Sequence, residues 1–249
     1  MGTSTAGERE APADLTGLAR ADLSSWFNPF LAQFVEDAYR CGGRVAVTRD
    51  DGEVIALQLL DPVERVGTIL TRSRALAGAA YQSRGPTGLF AEFSLGPVAE
   101  GLDVFATGRE LHPPTHRFRH PIRPYEPSDR QSVVDLVREV QGPFNEKWFD
   151  GLPTREHAGF VVEVEGRIVG VAWASRAGGE VRLHSLTVRP PFRRLGIGTD
   201  LLMARLLWAE QVGAARALSE ISQRNLASAA VARRGGMHPI GTMYFHRPA

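Results

Sequence analysis

Hydrophobic positions follow two rhythms along this chain, and the switches between them mark its elements. Near the N-terminus, Phe30, Phe34, Val35 and Ala38 recur at helical spacing behind Asn28 as cap and Pro29 at the first helical position. Gly42-Gly43 ends that helix, and residues 14–20 offer a shorter one before it. The period then becomes two. Residues 44–48, a turn at Asp50-Asp51-Gly52 and residues 54–60 predict a hairpin. A strand and a short helix carrying Leu76, Ala79 and Ala80 are expected within 69–83, and strands over 89–95 and 103–107. Residues 112–124 mix proline, histidine and arginine and read as a connector.

The second half is patterned more sharply. Ile122-Arg123-Pro124 predicts a strand and Ser128-Asp129 a helix start, with Val133, Leu136, Val137 and Val140 on the helix face and Gly142-Pro143 as its break. Residues 144–149 are aromatic-rich. A hairpin is expected from 160–163, a turn near Glu165-Gly166, and 168–174. Gly178-Gly179 leads into a strand in which Leu186 and Val188 alternate with Ser185 and Thr187, closed by Pro190-Pro191. Ile197, Leu201, Ala204 and Trp208 mark one helix face with Gly213 as stop. A strand over 217–222, a helix over 226–233 stopped by Gly235-Gly236, and two last strands within 237–246 complete the pattern. The fold class is α/β, with a mixed α+β sheet. The expected organisation is a disordered tail at 1–13, an α+β domain at 14–111, a connector at 112–121 and a second domain at 122–249.

The candidate chemistry lies between the strand ending at Val188 and the helix after it. Gly196 and Gly198 open that helix, where backbone N–H groups and the helix dipole favour an anion, and Arg193 and Arg194 add charge. The expectation is a phosphate or pyrophosphate cradle. The order matches neither the Gly-Lys-Ser/Thr phosphate loop nor the Gly-x-Gly-x-x-Gly fingerprint.

Arg193-x-x-Gly196-x-Gly198 after a strand resembles the acetyl-CoA signature of the GNAT N-acetyltransferases. A later stretch, Asn225 through Met237, is similar to the family's Asn-x-x-Ala-x-x-Leu-Tyr-x-Lys-x-Gly-Phe segment. The resemblance covers roughly 122–249 and implies a GNAT-like domain that transfers an acetyl group from acetyl-CoA to a primary amine. It implies that the backbone of Leu186, Thr187 and Val188 pairs with the pantetheine arm. It places the pyrophosphate on the backbone N–H groups of Arg194, Leu195, Gly196, Ile197, Gly198 and Thr199, counts Arg193 among the cofactor-binding residues, and gives Asn225 and Ser228 contacts to the cofactor. His184-Ser185-Leu186-Thr187-Val188 is similar to the His-x-Leu-x-Val of arylalkylamine N-acetyltransferases, so His184 is the candidate general base; even spacing sets it on the face of Val188. Glu163 is a weaker base candidate. Ala232 stands where the family often has the Tyr that protonates the departing thiolate, which leaves Tyr244 or Ser228 as stand-ins. Trp148, Phe149 and Trp173 are candidate acceptor-pocket residues, though aromatics at such places are more often core.

The hairpin at 44–60 echoes the one at 160–174, so the first half reads as a degenerate GNAT-like copy in tandem or as another α+β domain. Ala232 and that degeneracy support the alternative of a non-catalytic acyl-CoA-binding sensor or scaffold. The formal net charge of +1 gives no case for nucleic acid or an anionic membrane. No apolar run approaches membrane-spanning length and 1–13 lacks a signal's apolar core, so a cytoplasmic protein is expected. Cys41 is the single cysteine, read as a buried thiol. The histidines of 112–124 lack a nearby acidic or cysteine partner, so no metal is expected. The partner expected is a small-molecule or peptide amine; pairing of terminal strands into a homodimer follows from the resemblance alone.

Overall fold

The structure is a computed structural model of the 249-residue chain. It describes the backbone of residues 44–50, 53–61, 66–71, 95–108, 110–144, 146–177 and 179–248, and the side chains of 101–108, 110–144, 146–176 and 179–242. The tail expected at 1–13, the helices expected before Gly43, Cys41, the helix expected around Leu76 and the strand expected at 89–94 lie outside the described residues.

In chain order the described elements are β1 (Arg44–Asp50), β2 (Glu53–Asp61), β3 (Val66–Thr71), β4 (Leu95–Ala106), β5 (Ile122–Pro124), α1 (Arg130–Gln141), β6 (His157–Val164), β7 (Arg167–Ala177), β8 (Glu180–Val188), α2 (Ile197–Gln211), β9 (Arg216–Ser222), α3 (Leu226–Arg234) and β10 (His238–Pro248). The chain divides into two compact units, Met1–Asp103 with Gly241–Ala249, and Val104–Ile240. The second therefore begins ahead of the boundary expected at 122 and takes in the connector.

In the first unit the strands run β1-β2-β3-β10-β4. The expected hairpin is present: β1 and β2 pair antiparallel from Arg44↔Leu60 to Asp50↔Glu53. β2 pairs β3, and β3 pairs β10 through Thr71↔Tyr244. Two expectations change. Where two final strands are expected, β10 is one strand. Pro239 near its start and Gly241 within it weaken a strand without ending it. Likewise residues 95–106 form one strand, not an end at 95 and a restart at 103.

In the second unit the order is β4-β9-β8-β7-β6-β5, which is a mixed α/β sheet. β5, β6, β7 and β8 are successive antiparallel partners, and β8 is parallel to β9 with α2 in the crossover. The β6–β7 turn sits where Glu165-Gly166 predicts it, with both residues at left-handed φ of 51° and 73°. β7 is buried on both faces. Val171 and Trp173 meet Val133, Leu136 and Val137 of α1. Val169 and Ala172 meet Ile197 and Leu201 of α2. The spacing of α2 predicts one apolar face, yet Leu202, Met203, Leu206 and Ala209 are buried as well, against β8, β9 and α3. The helix is enclosed by the sheet and a second helix, so apolar residues recur around it.

Gly170 lets α2 come down on β7. A methyl group there would lie 2.9 Å from Ile197 Cγ2 and 3.2 Å from Leu201 Cδ1. Gly170→Ala is therefore expected to lose about 1–3 kcal/mol in urea unfolding through overpacking. Gly179→Ala, with nothing within 4 Å of the added carbon, should leave stability unchanged.

Candidate active site

Strand β8 carries an irregularity that re-aims its side chains. Val171 pairs with Thr187 and Trp173 with His184, so β8 spends one residue more than β7 over this interval. The extra residue is a bulge at Ser185, whose φ is 50°. The bulge corrects the expectation that His184 and Val188 share a face. Their β7 partners, Trp173 and Gly170, are three positions apart and so point to opposite faces. Leu186 and Val188 pack on the α2 side with Ile197 and Leu201. His184 stands on the α1 side, half-buried, its ring edge-on to Trp148 at 5.4 Å.

His184 is held at both nitrogens. Nε2 lies 2.6 Å from the hydroxyl of Ser175, itself 2% exposed, and Nδ1 lies 3.3 Å from the exposed Ser185 hydroxyl. Trp173 and Phe149, at 1% and 3% exposure, are core residues; Trp148, half-buried, bridges them to His184. Glu163 is engaged elsewhere, accepting from Arg123 Nη2 at 3.0 Å, while Arg123 forks onto Asp129 at 2.7 and 2.8 Å. Thr187 is buried and accepts from Gln141 Nε2 at 2.6 Å, tying the end of α1 to β8.

The guanidinium of Arg205 closes the bulge from the other face. Arg205 is 4% exposed, and its donors reach only carbonyls: Leu201 at 3.2 Å, and Trp173 and His184 at 3.4 Å each. Among the described residues no carboxylate pairs with it. Burial pulls its pKa down to about 9, so it stays charged at neutral pH. A bulge disrupts the ladder locally; here a buried cation takes the carbonyls of its paired residues.

Beyond Arg182 the ladder from β8 to β9 stops, and Ser219 Oγ donates to the Leu183 carbonyl at 2.8 Å. No β9 residue is in register with Leu186, Thr187 or Val188. The turn after β8 then enters α2. Gly196 is its cap at φ 100°, and Thr199 and Asp200 donate back to the Gly196 carbonyl. Among the described residues, the backbone N–H groups of Arg194, Leu195, Gly196, Ile197 and Gly198 meet no backbone acceptor. This row, at the N-terminus of a 15-residue helix, is an anion-binding arrangement. Arg194 is exposed at φ 66°, Leu195 is exposed, and Ile197 sends its side chain into the core. Gly198 faces Leu186 and Val231, each 3.8 Å from an added Cβ. Thr199 is half-buried. Arg193 turns back, its Nε donating to the Val188 carbonyl at 3.0 Å.

Asn225 caps α3, its side-chain oxygen accepting from the Ser228 N–H at 3.0 Å. Ala232 is 3% exposed and packs against Leu202, Met203 and Leu206. Tyr244 lies in the first unit, opposite Thr71 on β3, and its side chain is outside the described residues.

The presumed linker histidines do have an acidic partner, 80 or more residues away in sequence. Asp200, 1% exposed in the first turn of α2, meets His116 Nε2 at 2.6 Å and His120 Nδ1 at 2.8 Å and accepts from the N–H groups of Arg119 and His120. Asp200 and Arg205 were both absent from the sequence-derived candidates. Their signal was present: two charged positions within the mostly apolar stretch 197–209 of the helix.

Residues 122–237 match the family model described as Acetyltransferase (GNAT) family. The fold is similar to that of a GNAT-family acetyltransferase from Colwellia psychrerythraea, at TM-score 0.63 and 11% identity, over 96% of this chain and 97% of that one. A GCN5-related N-acetyltransferase from Sphaerobacter thermophilus gives TM-score 0.56 and 17% identity over 96% and 94%. A conserved protein of unknown function from Staphylococcus epidermidis gives 0.51 and 12% over 71% and 67%. No curated protein matches the chain.

Burial, the largest influence on Asp200, pushes its carboxyl up, but the hydrogen bonds from His120, His116 and the two N–H groups outweigh it and hold it below the ordinary value. A folded-state pKa below the unfolded one stabilises above the unfolded value, about 3.9, and that share is lost as pH falls through the folded value. Asp200→Asn is expected to lose about 2–3 kcal/mol at pH 7 in urea unfolding, and less at pH 3.

Proposed function

Because residues 122–237 are a domain of the GNAT acetyltransferase family, we propose that this protein binds acetyl-CoA and transfers its acetyl group to a primary amine by direct attack in a ternary complex. The observation that carries the reading is the row of unpaired backbone N–H groups from Arg194 to Gly198, beside a β8 edge that β9 leaves open. These groups fit a diphosphate and an amide-bearing arm respectively. Bound there, acetyl-CoA supplies the activated acyl group. The residues of this chain do the rest. The N–H row holds the phosphates, the edge at Leu186, Thr187 and Val188 aligns the arm, and Asn225 and Ser228 lie at the start of α3 as further contacts.

His184 is the base in this proposal. With Nε2–H donated to Ser175, Nδ1 is the basic nitrogen, on the side of the exposed Ser185. The ammonium form of the acceptor loses a proton to Nδ1, directly or through a water, before the amine attacks the thioester carbon; the new C–N bond replaces the C–S bond. The thiolate takes up the proton that the attacking nitrogen still carries, relayed by Ser228 or by water. The first half, with its β1–β2 hairpin, is proposed as a degenerate copy of the domain.

A second reading is favoured by Ala232, which puts a buried methyl where the family often has a hydroxyl. In it the protein binds acyl-CoA without turnover. Calorimetry with CoA and an amine panel followed by thiol release separates the two. The enzyme reading predicts binding and amine-dependent thiol release. It also predicts a kcat about a hundredfold lower in His184→Gln. Binding with no release for any amine establishes the module instead, and no binding overturns both.

A further inference from the structure

We propose that Arg119, which lies outside the Arg193-to-Thr199 motif, is a phosphate-binding residue of the CoA site; the inference rests on the CoA reading above. Its Cδ, Nη1 and Nε lie 3.4, 3.6 and 4.0 Å from the position a Cβ on Gly196 would occupy. The side chain therefore lies across the left-handed glycine at the centre of the unpaired N–H row. A Cβ at 196 would meet it at van der Waals distance.

The backbone beneath this side chain is fixed to the same helix that carries the row. Arg119 N–H and His120 N–H donate to Asp200 Oδ2 at 3.2 and 3.1 Å. The imidazoles of His116 and His120 take the two carboxylate oxygens at 2.6 and 2.8 Å. The buried carboxylate of α2's first turn would oppose an anion if left bare. Here it is covered by four donors, and it anchors an arginine over the loop.

The charge is available. Among the described residues no carboxylate pairs with the Arg119 guanidinium. Arg193, the motif's own arginine, is turned onto the Val188 carbonyl and braces the turn. A planar guanidinium beside a row of N–H donors suits a phosphate oxygen, to which it can offer a forked pair of hydrogen bonds. An exposed contact of this kind is worth roughly a fivefold change in affinity at low salt.

The test is calorimetric titration of the full chain with CoA and with dephospho-CoA, at low salt and at about 0.5 M salt, where exposed charge pairs are screened. Arg119→Gln should bind both probes about fivefold more weakly at low salt, with the deficit shrinking at high salt. Arg119→Lys should keep most of the affinity, and both variants should melt with the parent protein. Unchanged affinity in Arg119→Gln overturns the proposal, as does a deficit that salt does not reduce. A deficit for CoA that dephospho-CoA does not share also overturns it, because the loop cradles the diphosphate. Failure of the parent protein to bind CoA would instead remove the function proposed above, and this inference with it.

Discussion

The candidate site depends on one displaced residue and the cation that steadies it. Ser185 adds a residue to β8, and the addition turns Leu186 and Val188 toward α2 while His184 stays toward α1. A non-glycine residue at left-handed φ costs on the order of 1 kcal/mol, and a locally broken ladder leaves carbonyls to be satisfied. Arg205 meets that need from beneath, with donors on Trp173 and His184. A guanidinium buried without a carboxylate is expensive, so it stays only because the irregular strand offers it acceptors. Bulge and cation hold each other in place, and together they separate the face that would line the acyl arm from the face that carries the imidazole.

Local chemistry was the legible part of this fold. The hairpins at 44–60 and 160–174 follow from alternation around turn residues, and Glu165-Gly166 takes the conformation its turn demands. α1 follows from its apolar face and Gly142. The bulge was not legible, because Ser185 carries no mark that a glycine would. Alternation counted across it gave the wrong parity for Val188. One added residue is invisible in composition and reverses every side chain after it.

The polar residues of α2 show the other limit. Periodicity over Ile197, Leu201, Ala204 and Trp208 describes a helix lying on a sheet, whereas α2 is enclosed by sheet and helix. Asp200 and Arg205 can be buried there only because their partners arrive from distant stretches, His116 and His120 from the presumed linker and the β7 and β8 carbonyls from the sheet. The turn from β8 into α2, by contrast, was legible because strand end, prolines, arginines and glycines are adjacent in sequence. What the sequence could not show is that Arg193 braces the turn while Arg119 covers the glycine.

Ala232 acquires a physical reason in this setting. α3 lies on α2 through Ala232, and just beyond it Gly235 is so close that a methyl group there would sit 2.6 Å from Leu202 Cδ2. Small residues at the contact let the two helices approach, and Ala232 is buried in the same cluster as Leu202, Met203 and Leu206, where a larger side chain would overpack. The absent hydroxyl is thus coupled to how tightly α3 closes on α2. Under the proposed transfer the thiolate's proton would come from outside position 232, and the start of α3, where Asn225 accepts from the Ser228 N–H, lies on the same helix.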